Sequence, residues 1–112
     1  MTASEYLDRL KTMDDELKVK RQACENASGK FQEKIKEDIL KLESIQSSIY
    51  TMIEKLPDNY HRIILIDYYI NKMKIEEIAE RLHYSTSQVK RKRKKAVKIF
   101  AELNNFMKDD TK

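Results

Sequence analysis

The sequence predicts an all-α protein, with an N-terminal helical hairpin or coiled-coil segment followed by a three-helix domain. The chain of 112 residues contains one Gly and one Pro, so the residues that most often interrupt helices are nearly absent. Charged residues make up 38% of the chain, and long charged side chains lose little freedom in a helix. Apolar residues recur at steps of three and four, which is the spacing of one helix face.

The first helix is predicted to begin after Thr2. Thr2 and Glu5 have the spacing of a capping box, in which each side chain accepts a hydrogen bond from a free backbone N–H group of the first turn. Residues 25–30 are predicted to end this helix, since Gly29 can adopt the left-handed conformation found beyond a helix C-terminus. One continuous helix through this stretch is the alternative.

The second helix is predicted from about Lys30 to Lys55, with one apolar face. This apolar face must pack against another surface, which could be the first helix, a second copy of the chain or the C-terminal half. Because the shorter apolar stripe of the first helix cannot cover all of it, we predict a homodimer through residues 1–56. The residues expected in this contact are Phe31, Ile35, Ile39, Leu42, Ile45, Ile49 and Met52.

Pro57 marks the start of a second unit, predicted over residues 57–106, with residues 107–112 as a flexible tail. Its first helix covers residues 58–70, with Asp58 as the N-cap, and its second covers residues 75–82.

The last helix is predicted to follow a tight connection at residues 83–85 and to run to about Phe106. Ser85 and Gln88 have capping-box spacing at its start. Two short helices joined by a tight turn, the second one basic, are typical of a helix-turn-helix.

One face of the last helix is apolar and should pack on the two helices before it: Val89, Ala96, Phe100 and Leu103. The opposite face carries Ser87, Lys90, Arg91 and Lys94, while Lys92 lies near the apolar face, where its stem can cover apolar surface.

The positive charge is concentrated in the second half of the chain. Residues 1–56 carry 10 basic and 11 acidic residues, a net charge of −1, whereas residues 57–112 carry 13 basic and 8 acidic residues, a net charge of +5. Seven basic residues fall between Lys90 and Lys98. This excess indicates a polyanionic partner, and the basic helix face favours double-stranded DNA over RNA or a merely solvated surface.

Residues 56–100 resemble the helix-turn-helix of sigma-factor region 4, most closely in its RinA/ArpU-type version from small phage and prophage regulators. The residues that carry the resemblance are Leu56-Pro57, Tyr69-Ile70-Asn71, Glu76-Glu77-Ile78-Ala79, Leu82, Tyr84-Ser85, Val89 and Ala96. The resemblance implies a recognition helix that starts at Thr86 and enters the major groove. DNA base contacts are then expected from Thr86, Ser87, Gln88 and Arg91. DNA backbone contacts are expected from Lys72, Lys74, Ser85, Lys90, Lys92, Arg93, Lys94 and Lys95.

Three positions depart from the family pattern. Lys72 stands where Gly is usual, although the neighbouring Asn71 tolerates the left-handed region. Lys74 replaces a Ser or Thr that would cap the next helix. Asp67 occupies a usually apolar position, and nothing in the sequence explains it.

The sequence predicts neither an enzyme nor a cofactor or metal protein. His61 and His83 are far apart in the chain, and no metal-ligand spacing, Gly-rich phosphate loop or nucleophile motif occurs. No apolar run approaches bilayer length, the N-terminus does not resemble a signal peptide, and Cys24 is the sole cysteine. These features predict a protein of the bacterial cytoplasm that does not bind membranes.

Three functions agree with these features. The first is a transcriptional regulator that binds DNA through residues 57–106, with residues 1–56 used for oligomerisation or for contact with RNA polymerase. The second is a DNA-packaging protein that resembles a phage terminase small subunit. The third is a helical protein-interaction module that does not bind DNA.

Overall fold

A computed structural model describes residues 2–106 of the protein. Within this range the α-helices are α1 (Ala3–Asn26), α2 (Gly29–Glu54), α3 (Asn59–Leu65), α4 (Ile75–Leu82) and α5 (Thr86–Leu103). No strand occurs in the same residues, and the all-α prediction is confirmed. The tail predicted at residues 107–112 lies outside the described part of the chain.

The predicted helix 58–70 has two parts. After α3 the chain continues as a π-helical segment, Ile66–Ile70, which ends with a hydrogen bond of 2.9 Å from the Asn71 N–H to the Ile66 carbonyl. The predicted N-cap is confirmed, because the Asp58 carboxylate accepts hydrogen bonds from the Tyr60 and His61 N–H groups. These bonds lower the pKa of Asp58 from its ordinary value.

The N-terminal half is a helical hairpin, and its helix ends follow from local interactions. At the start of α1, the Glu5 N–H donates to Thr2 Oγ1 at 3.2 Å and the Thr2 N–H donates to Glu5 Oε1 at 2.8 Å. Between α1 and α2, Gly29 has a φ of +61°, in the left-handed region that glycine adopts without strain. The chain therefore turns back at this point, and the alternative of one continuous helix is wrong.

The two hairpin helices are antiparallel and cover each other's apolar faces. Arg21 and Glu43 form an ion pair of 2.8 Å, and the Gln46 side chain donates to Asp14 at 2.9 Å. Buried residues along the hairpin are Leu7, Leu10, Met13 and Leu17 from α1 and Ile35, Leu42, Ile49 and Ile53 from α2. Much of the stripe that we expected to need a second copy is thus covered within one chain, because α1 is almost as long as α2.

The hairpin also shares the main core with the C-terminal helices. Phe100 of α5 is fully buried in a cluster that includes Leu7 of α1, Ile53 of α2 and Tyr69 of the π-helical segment. Of the covers considered for the second helix, the structure therefore provides both the first helix and the C-terminal half. The boundary between residues 56 and 57 stays a prediction, since one core extends across it.

The buried Asp67 connects the π-helical segment to α4. The residue is 3% exposed, and Oδ1 accepts from Asn71 Nδ2 at 2.9 Å and from Arg81 Nη1 at 3.2 Å. The Asp67 carbonyl also accepts from the Met73 N–H at 2.9 Å. Because a buried carboxylate needs such partners, Asp67 positions the turn before α4 and the α4 helix together. This explains the polar residue at a position that is usually apolar.

The left-handed residue of this turn is Lys72, with a φ of +57°, whereas Asn71 has a right-handed φ of −81°. A non-glycine residue is strained in this region because of its Cβ atom. The expected loss of a side-chain cap at Lys74 is also found, since an ammonium group cannot accept a hydrogen bond. Half of a capping box remains, because the Lys74 N–H donates to Glu77 Oε1 at 2.8 Å.

We expect Lys72→Gly to be more stable than Lys72→Ala by about 1 kcal/mol, because Gly removes the left-handed strain while Ala retains it. Both variants lose the ion pair between Lys72 and Asp14, so their difference isolates the backbone effect. Urea unfolding followed by far-UV circular dichroism measures it. Equal stability of the two variants would show that residue 72 is not left-handed in solution.

Candidate nucleic-acid interface

A second apolar cluster holds α5 against α4. Its buried members are Ile64 of α3, Ile78 and Ala79 of α4, and Val89 of α5. The connection between the two helices is tight, as predicted: His83 adopts a left-handed φ of +60°, and the Tyr84 N–H donates to the Ala79 carbonyl at 2.9 Å. These contacts produce the helix-turn-helix geometry.

The start of α5 is held by the predicted capping box. The Gln88 N–H donates to Ser85 Oγ at 3.1 Å, and the Ser85 N–H donates to Gln88 Oε1 at 2.9 Å. The Gln88 side-chain oxygen therefore already accepts one hydrogen bond, while no hydrogen bond from its amide NH₂ is found in residues 2–106. Thr86 and Ser87 are exposed in the same first turn.

The core-facing side of α5 agrees with the prediction except at its end. Val89, Ala96 and Phe100 are buried, but Leu103 is 48% exposed, so its assignment to the core was wrong. The reason is that α5 ends at Leu103 and the chain turns back. Phe106 then covers this end of the core, with its ring stacked 5.7 Å from the Phe100 ring, centroid to centroid.

The outward side of α5 is a row of polar and basic side chains. Its exposed residues are Ser87, Arg91, Lys94 and Lys98, and the exposed Lys90 and Lys95 lie beside them. For none of these five basic residues is an ion pair with a carboxylate found among residues 2–106. The row therefore presents positive charge that no ion pair in this range neutralises, as binding to a polyanion requires. We refer to these six residues as the basic row.

Two of the basic residues predicted to contact the DNA backbone, Lys92 and Arg93, are half-buried at the edges of this row. Lys92 Nζ lies 5.2 Å from the centroid of the Tyr84 ring, and Arg93 Cζ lies 4.3 Å from the centroid of the Tyr68 ring. Both distances are within the range of cation–π attraction. The half-burial of Lys92 agrees with its predicted place near the apolar face of α5.

The turn before α4 carries two exposed lysines, Lys72 and Lys74. Lys72 Nζ lies 3.6 Å from Asp14 Oδ2 of α1, and Lys74 is at the N-cap position of α4. The predicted base-contacting and backbone-contacting residues thus lie on α5, at its cap and in this turn. Their assignment as contacts remains a prediction.

Residues 46–99 match the family model of sigma-70, region 4. The match covers just under half of the chain and extends from the second half of α2 into α5. It supports a DNA-binding helix-turn-helix domain, in agreement with the geometry of α4 and α5. No curated protein and no solved structure matches the chain.

Some basic residues near this surface were not among the predicted contacts. Lys98 follows Lys94 by four residues, so helical spacing alone could have placed it in the basic row. Lys11 is on α1, yet its Nζ lies 3.6 Å from the centroid of the Tyr68 ring. No sequence pattern indicates this contact, because α1 and the π-helical segment are far apart in the chain.

Within residues 2–106, no group of three or more His, Cys, Asp or Glu side chains is arranged to hold a metal ion. None of the helices in this range has the length and apolar character needed to span a bilayer.

Proposed function

We propose that the protein is a sequence-specific transcriptional regulator of phage or prophage origin, of the RinA/ArpU type, that binds double-stranded DNA in the bacterial cytoplasm. The observation that carries this proposal is the basic row of α5. It stands on the recognition helix of a helix-turn-helix, and its charges lack ion-pair partners in the described residues. This role needs neither an enzymatic activity nor a cofactor.

The roles proposed for residues of α5 follow from how far each side chain can extend toward the bases or the phosphates. Thr86 and Ser87 are short residues in the first turn, which allow the helix to approach the base edges closely. Arg91 follows one turn after Ser87, and its planar guanidinium can form two hydrogen bonds with guanine. Lys95 lies a further turn along the helix and is expected to contact phosphate, which supplies affinity without reading sequence.

The hairpin is proposed to mediate a homodimer and contact with RNA polymerase. Part of the apolar stripe of α2 remains available for a second copy: Phe31 near the hairpin turn is 68% exposed and Ile39 is half-buried. Ile45 and Met52 are also half-buried, but they pack against the main core of the same chain. Phe31→Asp is the best test variant, because this side chain lies outside the core and its replacement should leave the fold intact. Sedimentation equilibrium at micromolar to high micromolar concentration measures the effect on dimerisation.

Selection of bound sequences from a random duplex pool, followed by footprinting, tests the function. We expect a preferred motif, and a dimer predicts that it is formed of two related half-sites.

Light scattering on the same protein separates the regulator from the two alternative functions. A dimer supports the regulator, a ring of eight or more subunits supports a DNA-packaging protein, and a protein that does not bind DNA at moderate salt is an interaction module.

A further inference from the structure

A group of cations outside the basic row surrounds Tyr68. Lys11 Nζ of α1 lies 3.6 Å from the centroid of the Tyr68 ring, and Arg93 Cζ of α5 lies 4.3 Å from the same point. A shallow pocket of about 440 Å³ opens beside them, between α1 and the first turn of α4. Its lining includes Tyr68, the three lysines Lys11, Lys72 and Lys74, and the carboxylate of Glu76.

The positive charge around this pocket is only partly balanced. Lys72 pairs with Asp14 at 3.6 Å, but this pair is exposed and contributes little. Neither Lys11 nor Arg93 has a carboxylate ion-pair partner among residues 2–106. The Lys11 ammonium beside the Tyr68 hydroxyl lowers the pKa of that tyrosine from its ordinary value, and the Arg93 charge acts in the same direction. Two cations on one ring repel each other, and a bound anion would relieve this repulsion.

Arg93 connects this pocket to the basic row, because its guanidinium lies on the Tyr68 ring that lines the pocket. Arg93 is three residues from Lys90, so the two side chains are neighbours on the surface of α5. Lys74 is the N-cap residue of α4, where the helix dipole also favours a negative charge. A phosphate on the strand beside the basic row would therefore find positive groups from α1, α4 and α5 at one place.

We propose that this pocket binds a backbone phosphate of the duplex, with Lys11 as the contact supplied by the hairpin. The inference rests on the proposed function, because it assigns a further contact to the same DNA complex. It makes α1 part of the DNA interface. Lys11 lies outside the segment that matches sigma-70, region 4, so this contact is a property of the hairpin.

The test compares Lys11→Met with Lys18→Met. Met retains an unbranched stem and removes the charge. Lys18 is an exposed lysine of the same helix, for which no hydrogen bond, ion pair or ring contact is found in the described residues. In titrations at several KCl concentrations, Lys11→Met should reduce the slope of log K against log salt by about 0.9, as expected for one lost phosphate contact. Its affinity should fall about threefold to tenfold, equally on the preferred and a scrambled duplex. Lys18→Met should behave as wild type, and Lys11→Arg should restore the slope.

The outcomes separate this inference from the proposed function. If wild type binds the preferred duplex but Lys11→Met and Lys18→Met have the same slope, the pocket is not a DNA phosphate site, while the regulator proposal stands. If wild type does not bind duplex DNA, both proposals fail. An NMR titration with inorganic phosphate tests whether the pocket binds free phosphate rather than a phosphate of DNA. Saturable shifts at Lys11 and Tyr68, with an unchanged DNA slope in Lys11→Met, would assign the pocket to free phosphate and overturn the inference.

Discussion

Phe100→Ala is expected to lower the free energy of unfolding by about 3–5 kcal/mol. The Phe100 ring is 0% exposed and lies in the main core, where α5 meets Leu7 of α1 and Ile53 of α2. Its removal leaves a cavity that no single element can close. Because small domains are stable by about 5–15 kcal/mol, this loss is a large part of the total. Urea unfolding followed by far-UV circular dichroism measures it.

Leu103→Ala is the matched control. It truncates a large apolar side chain on the same helix, but Leu103 is 48% exposed, so the free energy of unfolding should change by no more than about 0.5 kcal/mol.

A second consequence of the shared core is that the hairpin and the C-terminal helices should unfold together in wild type. Two separate transitions, of which Phe100→Ala shifts only one, would contradict the shared core.

Arg91→Ala is expected to cost about 1–3 kcal/mol of binding free energy on the preferred DNA site and to flatten the preference at one base position. Arg91 belongs to the exposed basic row, without an ion-pair partner in residues 2–106, so its guanidinium is available to a base edge. The loss should therefore be larger on the preferred site than on a scrambled one. Titrations on both duplexes at several salt concentrations measure the difference.

Lys95→Ala serves as the comparison on the same helix face. It should weaken binding to both duplexes about equally and reduce the salt slope by roughly one unit or less. Both variants should stay folded, since both side chains are exposed. The opposite result is that Lys95→Ala loses the preference between the two duplexes, while Arg91→Ala weakens binding to both equally. In that case the bases are read about one helical turn further along α5 than we propose. If neither variant changes binding, the basic row is a solvated face.

The helices and the outward direction of the basic row could be predicted from the sequence, because local interactions determine them. The capping boxes at Thr2 and Ser85 and the Asp58 cap join groups only two or three residues apart. The bounds of α4, Ile75–Leu82, agree with the prediction for the same reason. Within one helix, the 3.6-residue period alone places Arg91 opposite Val89.

The contacts between distant segments were decided only by the tertiary structure. Asp67 meets Arg81 of α4, and Lys11 and Arg93 meet at Tyr68. Phe106 rather than Leu103 closes the core, with its ring 5.0 Å from the Tyr6 ring of α1, centroid to centroid. Each of these contacts depends on how whole helices pack. The apolar stripe of α2 has the same pattern whether α1, α5 or a second chain covers it. Burial of apolar surface does not depend on direction, so the pattern alone could not choose among these covers. Within one chain, α1 and the C-terminal half each cover part of the stripe.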